Sequence, residues 1–250
     1  MADLPFNAMA FLILFARVGS VLMLLPAFSD DGIPAQLRLM LGLSFTIGLY
    51  GFMSDRVAPA AARDSALAGT IIAEMLVGLS IGMIVRIMFS AAAMAGAFVS
   101  TQVGLSSALI ADPSLGQTPI LAKFITVAAT VACLAMGVHH LWIGAIVRSY
   151  DMFPVGVLPP IGDFARLAIS ATTQATGLAL GMAAPLIVYG ILFNVALGLA
   201  ARMAPAIQVF FISQPLNLLL GMTLFTVTFG VALTGFARAM ATFMQSGWTS

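Results

Sequence analysis

The chain has 250 residues, 61% hydrophobic and only 8% charged, with a mean hydropathy of +1.10. Soluble globular domains carry about 25% charged residues, so this chain has too few to cover a water-facing surface, and most of its side chains must meet lipid or other protein. A net charge of +1, from 10 Lys and Arg against 9 Asp and Glu, excludes a basic patch for nucleic acid, and a single cysteine, Cys133, excludes an internal disulfide.

The first apolar run, 8–28, follows Met1-Ala2-Asp3 with no basic leader and contains Arg17. It reads as a mature transmembrane element and not a cleaved signal. Further apolar runs fall at 37–53, 66–111, 120–147, 167–204 and 206–244. A helical crossing takes about 20 apolar residues, and lipid forces the backbone to satisfy its own hydrogen bonds, so the runs predict helices. The fold class is therefore all-α: a polytopic membrane protein of six to eight apolar helices. Runs 66–111 and 167–204 are too long for one simple span, and each is either two helices or one long, kinked helix. Pro185, with Gly177 and Gly181 nearby, offers a break in the second. Loops are expected at Pro26–Pro34, Asp55–Asp64 (with Pro59), Gly104–Pro119, Pro154–Pro160 and Arg202–Pro205. No internal repeat divides the chain, and residues 1–250 are taken as one domain. Loop cations mostly sit beside acids, so the positive-inside rule is nearly silent; six spans would leave both termini in the cytoplasm.

Arg17, Glu74, Arg86, Lys123 and Arg202 are among the charges that lie in or at the ends of the apolar runs. A cation at the bilayer centre costs at least about 2.5–3.5 kcal/mol. Arg17 sits roughly 13 Å from either end of its run, too far for snorkelling alone, so it should face protein or water. These charges read either as ion pairs between helices or subunits, or as sites on an ion or substrate path. Glu74, Gly78, Gly82, Arg86 and Ser90 follow one another at four-residue spacing and form one ridge on a helix; Gly190, Asn194, Gly198 and Arg202 repeat it. Small residues at this spacing let helix backbones approach closely, and pore lining is the alternative use. Glu74 and Arg86 stand about 18 Å apart along a helix and each needs a partner elsewhere.

Sixteen methionines are many for this length, with Met75, Met83, Met88 and Met94 clustered. They read as apolar filler or as an adaptable seal. Adjacent His139 and His140 point about 100° apart on a helix and are poor joint metal ligands. Nothing resembles a nucleotide loop, a nucleophile elbow or a zinc-binding HExxH. No catalytic role, cofactor or metal is expected. The stretch GLSSALIADPSLGQTP (104–119) is small, polar and broken by proline between two apolar segments. It is a surface connection, or irregular backbone at membrane depth that must be buried or line a cavity.

Together with that stretch, ARVGSVLMLLPAFSDDGIPAQLR (16–38), AEMLVGLSIGMIVR (73–86), GVHHL (137–141) and LGLAARMAPAIQVF (197–210) resemble, in order, the FliR family of flagellar export-gate subunits, whose counterparts serve virulence type III secretion. The resemblance covers most of the chain. It implies tilted helical hairpins assembled with FliP-type and FliQ-type subunits, contact with an FlhB-type subunit and with membrane lipid, and passage of unfolded flagellar proteins. It also implies placement in the bacterial inner membrane at the flagellar basal body. Buried charges would then pair between helices or subunits. By the same resemblance, Gly104, Ser106, Ser107, Asp112, Pro113, Ser114, Gly116, Gln117 and Pro119 belong to a loop that plugs the closed channel. The competing classes are a self-contained small-solute transporter, which calls for a midplane site on paired broken helices, and a membrane enzyme, which calls for a catalytic cluster. The breaks are present, but neither a repeat nor such a cluster is.

Overall fold

A computed structural model describes residues 3–29, 33–61, 67–105, 119–203 and 209–246. Seven helices account for most of them: α1 (Asp3–Leu24), α2 (Ala35–Ala61), α3 (Leu67–Val103), α4 (Ile120–Ala135), α5 (Val138–Met152), α6 (Ile161–Met203) and α7 (Val209–Ser246). Five are long and apolar enough to cross a membrane, or six if α4 and α5, joined by a bend, form one broken span. The chain is a polytopic α-helical membrane protein.

Among the described residues, each of the two long runs contributes one continuous helix. α3 runs unbroken for 37 residues and α6 for 43, straight through Pro185. Apolar helices tolerate such prolines because neighbouring groups satisfy the freed carbonyl. The break comes instead in the run 120–147, at Met136-Gly137, where Gly137 takes φ +74°. A second correction concerns Asp55–Asp64, expected as a loop. α2 continues through Pro59 to Ala61, with Asp55 and Arg56 on its exposed face. Arg56 is neutralised by Asp151 and not by its neighbour Asp55.

Serines and threonines inside these helices hide their polarity locally. Ser80, Ser100, Thr126, Thr172 and Thr223 each donate to the carbonyl four residues earlier at 2.7–2.8 Å. That back-bonding lets a hydroxyl sit in an apolar helix without an orphaned donor.

The chain divides into two compact units, Met1–Met88 with His139–Thr172, and Phe89–Val138 with Thr173–Ser250. In the first, α1 packs along α2, and Ile13, Leu14, Val18, Val77, Ile81 and Trp142 form the core. The second centres on aromatic packing. Phe89 meets Phe236 edge-on at 5.3 Å, Phe124 stacks on Phe229 at 5.4 Å, and Gly96 lets α3 approach α4 so closely that a Cβ there would lie 2.3 Å from the Ala122 Cα.

Candidate functional site

Arg17 and Glu74 meet inside the first unit, both fully buried. The guanidinium engages the carboxylate with two parallel bonds, Nε to Oε2 at 2.7 Å and Nη2 to Oε1 at 2.8 Å. Its remaining donors reach the Ser149 hydroxyl at 3.2 Å and the Phe153 carbonyl at 3.0 Å, and its face lies 3.9 Å from the centre of the Tyr150 ring. Glu74 Oε1 also accepts the Gly156 backbone N–H at 3.0 Å. Gly156 adopts φ +80°, and a Cβ there would press against Thr70 Oγ1 at 3.3 Å. One ion pair thus ties α1, α3, α5 and the connection after α5 together. Burying such a pair is tolerable only when geometry is good and further hydrogen bonds satisfy it, as here.

The small residues of the α3 ridge explain how the pair can close. A Cβ on Gly78 would fall 2.6 Å from the Arg17 carbonyl oxygen and 2.0 Å from Ser20 Oγ, and one on Gly82 would fall 2.7 Å from Leu24 Cβ. Backbone contact between α1 and α3 at these points brings Glu74 up to Arg17. Arg86 and Ser90, on the same ridge, are exposed. The ridge on α6 is only partly used. Gly190 lies under the Gln102 side chain and Asn194 donates to the Gly190 carbonyl at 2.8 Å, but Gly198 has open space around it and Arg202 is exposed.

Lys123 is likewise exposed on α4. Among the described residues, ion pairs join Arg17 to Glu74, Arg56 to Asp151 and Arg166 to Asp163; Arg86, Lys123 and Arg202 take part in none of these three. Of the polar stretch 104–119, Gly104, Leu105 and Pro119 are described: Gly104 follows the last turn of α3 with φ +83°, and Pro119 precedes α4. Ser106, Ser107, Asp112, Pro113, Ser114, Gly116 and Gln117 lie outside the described residues. His139 and His140 sit in the first turn of α5 with ring centres 4.1 Å apart. Met88 is buried, whereas Met75 and Met83 point outward, so the four clustered methionines do not share one environment.

Residues 8–243 match the family described as bacterial export proteins, family 1. The chain belongs to this family. It is 36% identical over 223 residues to the flagellar biosynthetic protein FliR of Caulobacter vibrioides, covering 88% of this chain and 89% of that one. To FliR of Bacillus subtilis it is 30% identical over 226 residues, covering 89% and 86%. It is 25% identical over 229 residues to the secretion system apparatus protein SsaT of Salmonella typhimurium, covering 90% of this chain and 88% of that protein. Flagellar and secretion-system relatives therefore align with nearly the whole of this export-family chain.

Within this family member, sequence reasoning singled out Arg17 and Glu74 but missed Ser149, Tyr150, Phe153 and Gly156. The signal for Gly156 was faint: a glycine between Pro154 and Pro159 in a loop marks a turn but does not say that its amide faces a carboxylate 82 positions away. Ser149 and Tyr150 lie in an ordinary helical stretch, and only the fold brings them to Arg17.

Proposed function

We propose that this chain is a structural subunit of a flagellar type III protein-export gate in the bacterial inner membrane, at the flagellar basal body. On this reading residues 1–250 act as one export-gate domain. It assembles with FliP-type and FliQ-type subunits into a closed channel, contacts an FlhB-type subunit, and passes unfolded flagellar proteins without itself catalysing a reaction. The observation that carries the reading is the near end-to-end match to FliR proteins. An exposed cation supports it: Arg86 projects from the middle of the strongly apolar α3, where a solitary chain in lipid would leave it facing hydrocarbon, whereas Lys123 and Arg202, in the first turn of α4 and the last turn of α6, can reach lipid headgroups. A neighbouring subunit would supply the partner of Arg86. Gly104 to Pro119, short and polar between α3 and α4, serves on this reading as the plug of the closed channel.

Purification from native membrane under mild detergent tests the assembly. FliP-type and FliQ-type subunits should copurify in a stable hetero-oligomer. A well-behaved monomer that moves a small solute alone in liposomes would show the reading to be wrong.

A further inference from the structure

Within the first unit α3 has two faces of opposite character. Ala73, Val77, Ile81, Ile84, Val85 and Met88 are buried, and Glu74 is spent on Arg17 and the Gly156 amide. Ile72, Leu76, Leu79, Met83 and Arg86 lie on the other face and are exposed; the four apolar ones keep 39–56% of their surface. They follow one another at steps of four, three, four and three residues. A stripe of period 3.5 stays on one side of a helix that turns every 3.6 residues, as the seam of a coiled coil does. Arg86 stands about 40° around the axis from Ile72 but about 120° from Glu74, so it belongs to this seam and not to the face that α1 fills through Gly78 and Gly82.

Four apolar side chains alone would suit lipid, but Arg86 does not. It lies about 25 Å or more along the axis from either end of α3. Bringing it to lipid phosphates would put the bilayer surface halfway along the helix and leave either the seam before it or the uncharged stretch 87–103 bare to water. Among the described residues, the carboxylates of Glu74, Asp151 and Asp163 are each committed to another arginine. The charge that complements Arg86 comes from another chain.

We propose that Ile72, Leu76, Leu79, Met83 and Arg86 form a docking seam for one apolar membrane helix of a neighbouring subunit, which carries a carboxylate opposite Arg86. This rests on the reading of the chain as a gate subunit. The apolar positions supply packing, which in lipid selects neither depth nor partner. Arg86 supplies both: a guanidinium and a carboxylate meet through two parallel bonds, and a slip of the partner by one heptad would leave both charges unpaired.

The test uses the complex purified from native membrane under mild detergent. A benzophenone amino acid placed at Leu79 or Met83 and activated by light should join α3 to a copurified FliP-type or FliQ-type subunit, at a helix with Asp or Glu within one turn of the joined residue. Arg86→Glu should lower recovery of the complex at least about tenfold, and exchanging the mapped acid for Arg in the same cells should restore it to within about threefold. Arg86→Leu makes α3 more apolar, so complex lost in that variant is not lost through poor insertion. Joining to lipid alone, to a second copy of this chain or to a helix without an acid overturns the seam. So does full recovery of Arg86→Glu and Arg86→Leu, or a loss that the exchanged acid does not repair. In each of these cases the copurified subunits leave the gate reading standing. If the unsubstituted chain copurifies with neither FliP-type nor FliQ-type subunits, the gate reading falls and the seam falls with it.

Discussion

Arg17 shows what a buried charge demands of its surroundings. Its bidentate bond to Glu74 is supplemented by Ser149, the Phe153 carbonyl and the Tyr150 ring, and Glu74 takes the Gly156 amide. Removing one member strands the other in a medium that cannot solvate it. Arg17→Leu should therefore destabilise the first unit by about 3–5 kcal/mol and lower the yield of assembled complex. Replacing both, as Arg17→Met with Glu74→Leu, should recover much of that loss, since an apolar pair leaves no charge unmatched. Thermal unfolding of the two variants in detergent decides the matter: a double variant no better than the single would mean that the charges themselves hold the helices. Gly156→Ala forces a side chain into a left-handed backbone, at roughly 1–2 kcal/mol, and crowds Thr70. It should weaken the same network, visible as a lower melting temperature.

At the scale of helices, the two small-residue ridges behave differently. On α3, Gly78 and Gly82 sit against the α1 backbone, whereas Gly198 on α6 faces open space. Gly78→Ala should push α1 from α3 and cost about 1–3 kcal/mol, while Gly198→Ala should leave the melting temperature of the isolated chain unchanged. If the two substitutions destabilise the isolated chain equally, the ridges do not differ as described. Element type and approximate position were legible from hydrophobic run length alone, because lipid leaves the backbone no alternative to the helix. Continuity was not. Prolines and charges normally punctuate soluble chains, yet α2 passes Pro59 and α6 passes Pro185, while a weaker signal, Gly137 within GVHHL, marks the true break. Partners were legible only halfway: burial of Arg17 followed from its depth in an apolar run, but its alignment with Glu74, Ser149 and Gly156 depends on how α1, α3 and α5 pack, which no local pattern encodes.

For the molecule as a whole, outward cations divide what the chain satisfies itself from what its companions must satisfy. Arg86→Leu should leave the thermal stability of the isolated chain nearly intact yet reduce recovery of the hetero-oligomer; equal recovery would mean that Arg86 meets only water or lipid headgroups. The sequence separations within the Arg17 network carry a consequence for biosynthesis. Arg17 is 57 positions from Glu74 and 132 from Ser149. While the ribosome is still adding α2, the first helix enters the translocon with a cation that has nothing to bind, and insertion there carries the full penalty of a lone arginine. Glu74 supplies the counter-charge once α3 is made, but Ser149, the Phe153 carbonyl and the Gly156 amide complete the shell around the pair only after more than half of the chain exists. The first unit therefore closes late although it contains the first residues made.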